Sequence, residues 1–173
     1  MKEKIFNIKT AIVFMAVAIL SLGVYIYMIL RPISYDMEYQ TSYEYQGVLF
    51  EGSIKFNVDG TMTTTNSNFD EEISSRYYYK DGYVFFLIAT TDSQYEKEVE
   101  WIDSNFEEAL EMSFYASEIN AFGLSNEGPD GSKITYDCKD AYTFTVVAGA
   151  IEVLLFGFAC ASFFIFKKTK KEE

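Results

Sequence analysis

Histidine is absent from all 173 residues of this chain. That absence removes Ser-His-Asp and Cys-His catalysis, histidine-ligated zinc and imidazole proton shuttling. Cysteine is almost as scarce. Cys138 and Cys160 stand 22 positions apart, the second inside an apolar run, and they form no CxxC motif. Neither a disulfide framework nor a cysteine metal cluster is expected. The chain also lacks GxxxxGKS/T, GxGxxG and GxSxG, the patterns that cradle phosphates or raise a nucleophilic serine. No cofactor is implied. There is no Asn-x-Ser/Thr acceptor, so N-glycosylation is not expected. With only two prolines and many Lys, Ile, Tyr and Phe residues, this favours a bacterial cell membrane as the setting.

Positive charge is scarce, and it is unevenly placed. Residues 33–141 carry 22 acids against six bases, a net charge of −16, whereas each end of the chain is +2. A segment this acidic repels phosphate backbones, which excludes nucleic acid as a partner. Excess acid is an ordinary route to solubility and also tolerates cations or a basic protein partner.

Two long apolar runs stand beside those basic ends. Residues 11–30 contain no charge, and residues 144–166 contain only Glu152. At 1.5 Å per residue, twenty helical residues cover about 30 Å, the thickness of a hydrocarbon core. The spacing therefore predicts two transmembrane helices, at 11–30 and 142–166. Tyr25, Tyr27 and Tyr142 fall at one expected interface. The lysines lie in the short flanks 1–10 and 167–173, so the positive-inside rule puts both termini in the cytoplasm and 31–141 outside the plasma membrane. Lys2 to Lys9, an apolar run and Ser21-Leu22-Gly23 also fit a cleavable signal peptide. The apolar run continues to Leu30, which favours an uncleaved anchor.

The outer segment changes period. Phe50, Ile54, Phe56 and Val58 alternate with Glu51, Ser53, Lys55 and Asn57. Asp59-Gly60 and Asp81-Gly82 each separate two alternating runs, which signals hairpins whose turns need positive φ. An antiparallel β meander is expected. Phe56-Asn57-Val58-Asp59-Gly60-Thr61, followed by Tyr79-Lys80-Asp81-Gly82-Tyr83-Val84, resembles the meander repeats of lipocalin-like domains. Closed barrels of that kind need about eight strands. Five to seven are legible here, so a partial barrel or one curled sheet fits as well as a closed barrel, and the partial barrel or meander is the expectation carried forward. Residues 96–118 suit either a helix or the start of a strand, giving at most one helix. Residues 119–124 fit a strand, 126–131 a loop, and 132–138 the strand that feeds the second span.

Three features invite chemistry. Asn66, Asn68, Asp70 and Glu72 alternate like calcium ligands, but Glu71 stands where the calcium loop needs glycine and Tyr77 where it needs glutamate. A solvated loop is the better reading. Glu107-Glu108 has the residue types of a glycosidase acid and base, without any spacing signal. Glu152 is the residue that breaks local rules, because a carboxyl group inside a membrane helix is costly and usually faces a bundle interior. Gly149, Val153, Gly157 and Ala161 recur at intervals of four, and small residues at that spacing let helices approach closely. By depth, Glu152 lies ~12 Å below the outer end of its helix, and Ser21 and Tyr25 lie ~14 and ~8 Å below theirs. Either hydroxyl can then meet Glu152 in an antiparallel pair. Docking to another membrane subunit and an ion or proton pathway are the rival roles for Glu152.

By elimination, the sequence reads as a non-enzymatic membrane protein. Its outer domain binds or senses something, and its helices join it to a membrane assembly as an accessory subunit. A lipocalin-like domain binding a small molecule or lipid is the alternative, and a carboxylate-dependent envelope enzyme a weaker one.

Overall fold

The computed structural model describes residues 8–66, 69–112, 116–127, 131 and 133–172. In chain order the elements are α1 (Ile8–Leu30), β1 (Glu38–Tyr45), β2 (Val48–Phe56), β3 (Thr61–Asn66), β4 (Phe69–Lys80), β5 (Tyr83–Leu87), α2 (Asp92–Ser104), α3 (Phe106–Glu111), β6 (Ala116–Asn120), β7 (Gly123–Glu127), β8 (Lys133–Asp137) and α4 (Lys139–Glu172). They fall into two compact units, Arg31–Tyr142 and the two terminal stretches Met1–Leu30 and Thr143–Glu173.

The middle unit is a closed barrel in which each of eight strands pairs antiparallel with its neighbour in sequence. This corrects the partial barrel and the count of five to seven strands expected from the sequence. Two missed turns account for the difference. Gln46-Gly47 joins β1 to β2 with both residues at positive φ, 53° and 77°. Gln seldom adopts that conformation, so the pair gives a weak local signal. The run 119–124, read as one strand, is instead the end of β6, a turn at Ala121-Phe122 and the start of β7. Asn120 Oδ1 makes that turn by accepting from the N–H groups of Phe122 and Gly123.

Of the two turns that were legible, Asp81-Gly82 has both residues at positive φ and closes on the Lys80–Tyr83 pair, as a two-residue type I′ turn must. At Asp59-Gly60 only Gly60 has positive φ. Gly60 N–H reaches Asn57 O, and Asn57 N–H reaches Thr61 O, which makes a type I turn with a glycine bulge.

One helix at most was expected, and two are present. Thr91 caps α2 by accepting from Gln94 N–H, while Gln94 Oε1 accepts from Thr90 N–H. Asn105 then breaks the helix: its N–H closes α2 on Trp101 O, and its carbonyl opens α3 toward Ala109 N–H. Ile102, Ala109 and Phe106 pack on Phe85 and Leu87, so α2 and α3 cover the outer face of β5. The other face of the same strand presents Val84 to the barrel core beside Tyr39, Phe56 and Tyr77.

The calcium-like run does not form a loop throughout. Asn66 ends β3, Asp70 and Glu72 lie on β4, and Asn68 is outside the described residues. Asn126 and Glu127, expected in a loop, complete β7. Of Met112, Phe114 and Ala116, the residues at which 96–118 suits the start of a strand, Met112 is the C-cap of α3, Phe114 lies outside the described residues, and Ala116 begins β6.

The other unit contains two helices long and apolar enough to cross a membrane, over Ile8–Leu30 and Lys139–Phe164. Both begin earlier than the runs 11–30 and 142–166 suggest. The buried positions of α1 include Ala11 and Ala18, and those of α4 include Thr145, Glu152, Ala159 and Ser162. Steps of seven link 11 to 18 and 145 to 152 to 159, the repeat of two helices packed along a seam.

Candidate functional site

Ser21 sits one turn beyond Ala18, and its Oγ donates to Glu152 Oε2 across the helix pair. Oε1 of Glu152 and Oγ1 of Thr145 are buried with no hydrogen-bond partner among the described residues. Ser162, farther along α4, donates to the Phe158 carbonyl of its own helix. One turn from Glu152, Gly149 meets α1 directly. A Cβ built on Gly149 would lie 3.0–3.2 Å from the ring and hydroxyl of Tyr25, so the absent side chain is what admits the tyrosine.

The structure thus brings Glu152, Ser21 and Gly149 to one seam, and it leaves Gly157 and Ala161 elsewhere. Both are exposed, Val153 between Gly149 and Gly157 is 73% exposed, and a Cβ on Gly157 would meet nothing. The intervals-of-four stripe is therefore not the face that packs within this chain. The seven-residue repeat sets that face, and only Gly149 borders both. Ala11, Ala18, Thr145 and Ala159 were missed as seam residues, although the sevenfold spacing of Thr145 and Ala159 around Glu152, and of Ala11 from Ala18, could have shown them.

In the barrel, buried polar groups gather at one end. Tyr39 OH accepts from Ser34 N–H at 2.8 Å and donates to Asn120 O at 3.1 Å. Ser34 Oγ donates to Ala121 O, and Cys138 N–H donates to Phe122 O. These bonds tie the entering segment, the β6–β7 turn and the departing end of β8 together. Burial there pushes the Tyr39 phenol up to about 12, against its hydrogen bond from Ser34. Burial likewise raises the Cys138 thiol.

Toward the other end the interior changes character. Tyr43, Phe50 and Tyr136 face inward by strand alternation but stay partly exposed, and Tyr43 stacks on Phe50 with centroids 5.2 Å apart. Inward positions such as Thr41, Thr64, Ser75, Phe86 and Ile134 carry no charge, in a domain whose surface is strongly acidic.

On the outside, Asp103 accepts from Lys80 Nζ at 2.7 Å and from Tyr78 OH at 2.9 Å, which holds its carboxyl below the usual range. Arg76 bonds Asp92 and lies over the Tyr95 ring. These contacts pin α2 against the barrel. Glu107 and Glu108 occupy the first turn of α3, where acids complement the helix dipole. Among the described residues, no three His, Cys, Asp or Glu side chains gather as a metal site.

Compared with known proteins, the chain matches no family model and no curated protein.

Proposed function

We propose that this chain is a two-span protein of the plasma membrane, with both termini cytoplasmic, an outward β-barrel that binds or senses, and helices that join a membrane assembly. The observation that carries the reading is how little of either long helix is covered: 11% of the most apolar stretch of α1 and 17% of that of α4 are buried. The core helix of a soluble protein hides its apolar surface. Here Leu20, Leu30, Leu154 and Phe164 all stand largely exposed, as lipid-facing side chains do. The lysines beyond each apolar run supply the orientation. Among the described residues Oε1 of Glu152 has no partner once Ser21 has been used, which leaves one carboxyl oxygen open to a donor from a second membrane protein.

Alkaline carbonate washing of membranes tests the anchor. The chain should remain in the pellet with its first residues present by mass spectrometry. A soluble chain starting near Val24 would mean that α1 is a cleaved signal. Gentle solubilisation and pull-down tests the accessory role, which predicts a stoichiometric membrane partner.

A second reading has its own observation, the incompletely filled half of the barrel around Tyr43, Phe50 and Tyr136, where the described inward side chains carry no charge. It suits a small uncharged molecule or lipid. Native mass spectrometry of the purified chain should then show a bound mass that Phe50→Ala reduces.

A further inference from the structure

β4 is 12 residues long and β5 only five, and their pairing stops at Arg76–Leu87. Beyond that pair β4 continues along β3 alone, through Ser75, Ser74 and Ile73. The chain after Leu87 diverges toward α2, leaving a wedge of about 800 Å³ lined by Ser74, Ser75, Phe86, Leu87, Ile88 and Ala89, among others.

The phase of the free edge follows from one bond. Tyr77 N–H reaches Gly60 O on the β3 side. In an antiparallel ladder, a residue's N–H and C=O point to the same side, and successive residues alternate. Tyr77, Ser75 and Ile73 therefore serve β3, whereas Arg76 serves β5. Ser74 shares the phase of Arg76, so both its backbone groups face the wedge, where the described residues offer no strand partner. Side chains alternate as well. Ile73 takes the inward side with Phe86, and Glu72 and Ser74 the outward one. Ile88, in the wedge, is 81% exposed, and Ile73, next to Ser74 in sequence and on the inward side of β4, is 57% exposed, so apolar surface is uncovered at this edge.

We propose that this wedge receives an extended peptide segment of another protein as an added strand on β4, with apolar and basic residues alternating. Ser74 supplies the backbone pairing that a strand needs. The apolar residues lie toward Ile73 and Phe86, and the basic ones toward Glu72. Charge selects the partner. Asp70, Glu71 and Glu72 are consecutive in sequence, in a domain of net charge −16. Acids on an edge strand repel a second acidic strand and guard against indiscriminate pairing. A basic strand turns the same charges into attraction. The register shift between β3 and β4 next to Asn66 bounds the usable edge on its far side.

The test uses the full chain in detergent and two fluorescent nine-residue peptides of alternating valine and lysine, the second N-methylated at every other residue. The methylated twin keeps its charge and loses its pairing donors. The unmethylated peptide should bind saturably, and the twin at least about tenfold more weakly. Ser74→Pro removes the outward N–H without touching the β3 ladder, and should weaken binding by a similar factor. Ser74→Ala should bind as the wild type does. Ile88→Lys, at an exposed position, gives an independent variant that repels a basic strand, and it too should bind at least about tenfold more weakly. Equal binding of the two peptides would reduce the interaction to bulk charge and overturn the proposal. So would no binding, wild-type affinity in both Ser74→Pro and Ile88→Lys, or a dimer of this chain that Ser74→Pro dissociates.

Discussion

Ser21 and Glu152, 131 positions apart in sequence, share a hydrogen bond from hydroxyl to carboxyl inside the seam between α1 and α4. The bond gives the polar residue of the second apolar run a partner within its own chain. Glu152→Gln retains an oxygen that can accept from Ser21, so it should leave folding and abundance close to wild type. Ser21→Ala should cost on the order of 1 kcal/mol, the scale of hydrogen bonds between membrane helices, in detergent unfolding followed by circular dichroism. Cysteines at Ser21 and Glu152, with Cys160 replaced by alanine, should crosslink within one chain. If Glu152→Gln instead released a co-purifying protein bearing Lys or Arg at that depth, the seam would be an intermolecular site.

Gly149 and Gly157 should respond in opposite ways. Gly149→Val drives a side chain into the Tyr25 ring, whereas Gly157→Val enters open space. Overpacking of this kind typically costs about 1–3 kcal/mol. The expected result is a destabilised helix pair for Gly149→Val and near wild-type unfolding for Gly157→Val.

The stripe that includes Gly157 was legible in sequence, yet the seam follows another face. Length and hydropathy locate α1 and α4 without any knowledge of packing, and depth alone levels Ser21 with Glu152. Which face packs depends on both helices at once, so a pattern read on α4 alone picked the stripe through Val153. The barrel divides similarly. Asp81-Gly82 announces its turn through local chemistry, but closure requires β1 to meet β8, where among the described residues the register pair is Gln40–Asp137. No local pattern in either strand encodes that meeting. The break at Asn105 was hidden because Ile102, Phe106 and Leu110 keep a helical spacing across it. The Thr91/Gln94 cap, by contrast, was a readable signal for where α2 starts.

The two turn glycines should be sensitive in the barrel itself. Gly60 has φ +85° and Gly82 φ +90°, with open space around both, so a new side chain is strained by the backbone and not by neighbours. Gly60→Val and Gly82→Val should each cost about 1–2 kcal/mol. Thermal melts of residues 31–142 would show it. That fragment contains the whole barrel core, including Ile33 and Ala141, and should give a mainly β spectrum and a cooperative transition. A helix-dominated spectrum would contradict the fold.

Alkali should loosen the closed end of the barrel. The Tyr39 phenol is raised from 10 to about 12, so the folded state holds its proton where the unfolded state releases it. This contribution is fully present below pH 10 and is lost as pH rises through about 12. Tyr39→Phe should remove that part of the alkaline loss. At neutral pH it should cost about 1–3 kcal/mol, because Ser34 N–H is left buried without its acceptor. A pH–stability profile unchanged by Tyr39→Phe would count against this bond.

Labelling with a membrane-impermeant maleimide on intact cells tests the topology most directly. The native Cys138, although it lies in the segment assigned to the outside, cannot serve as the outward reporter, because it is 1% exposed inside the barrel core. Val58, 73% exposed in the β2–β3 turn, is the better position. With Cys160 replaced by alanine, Val58→Cys should label on intact cells, and Thr169→Cys only after permeabilisation. Labelling of Thr169→Cys from outside, or protection of Val58→Cys until the membrane is opened, would contradict a barrel held outside by two spanning helices.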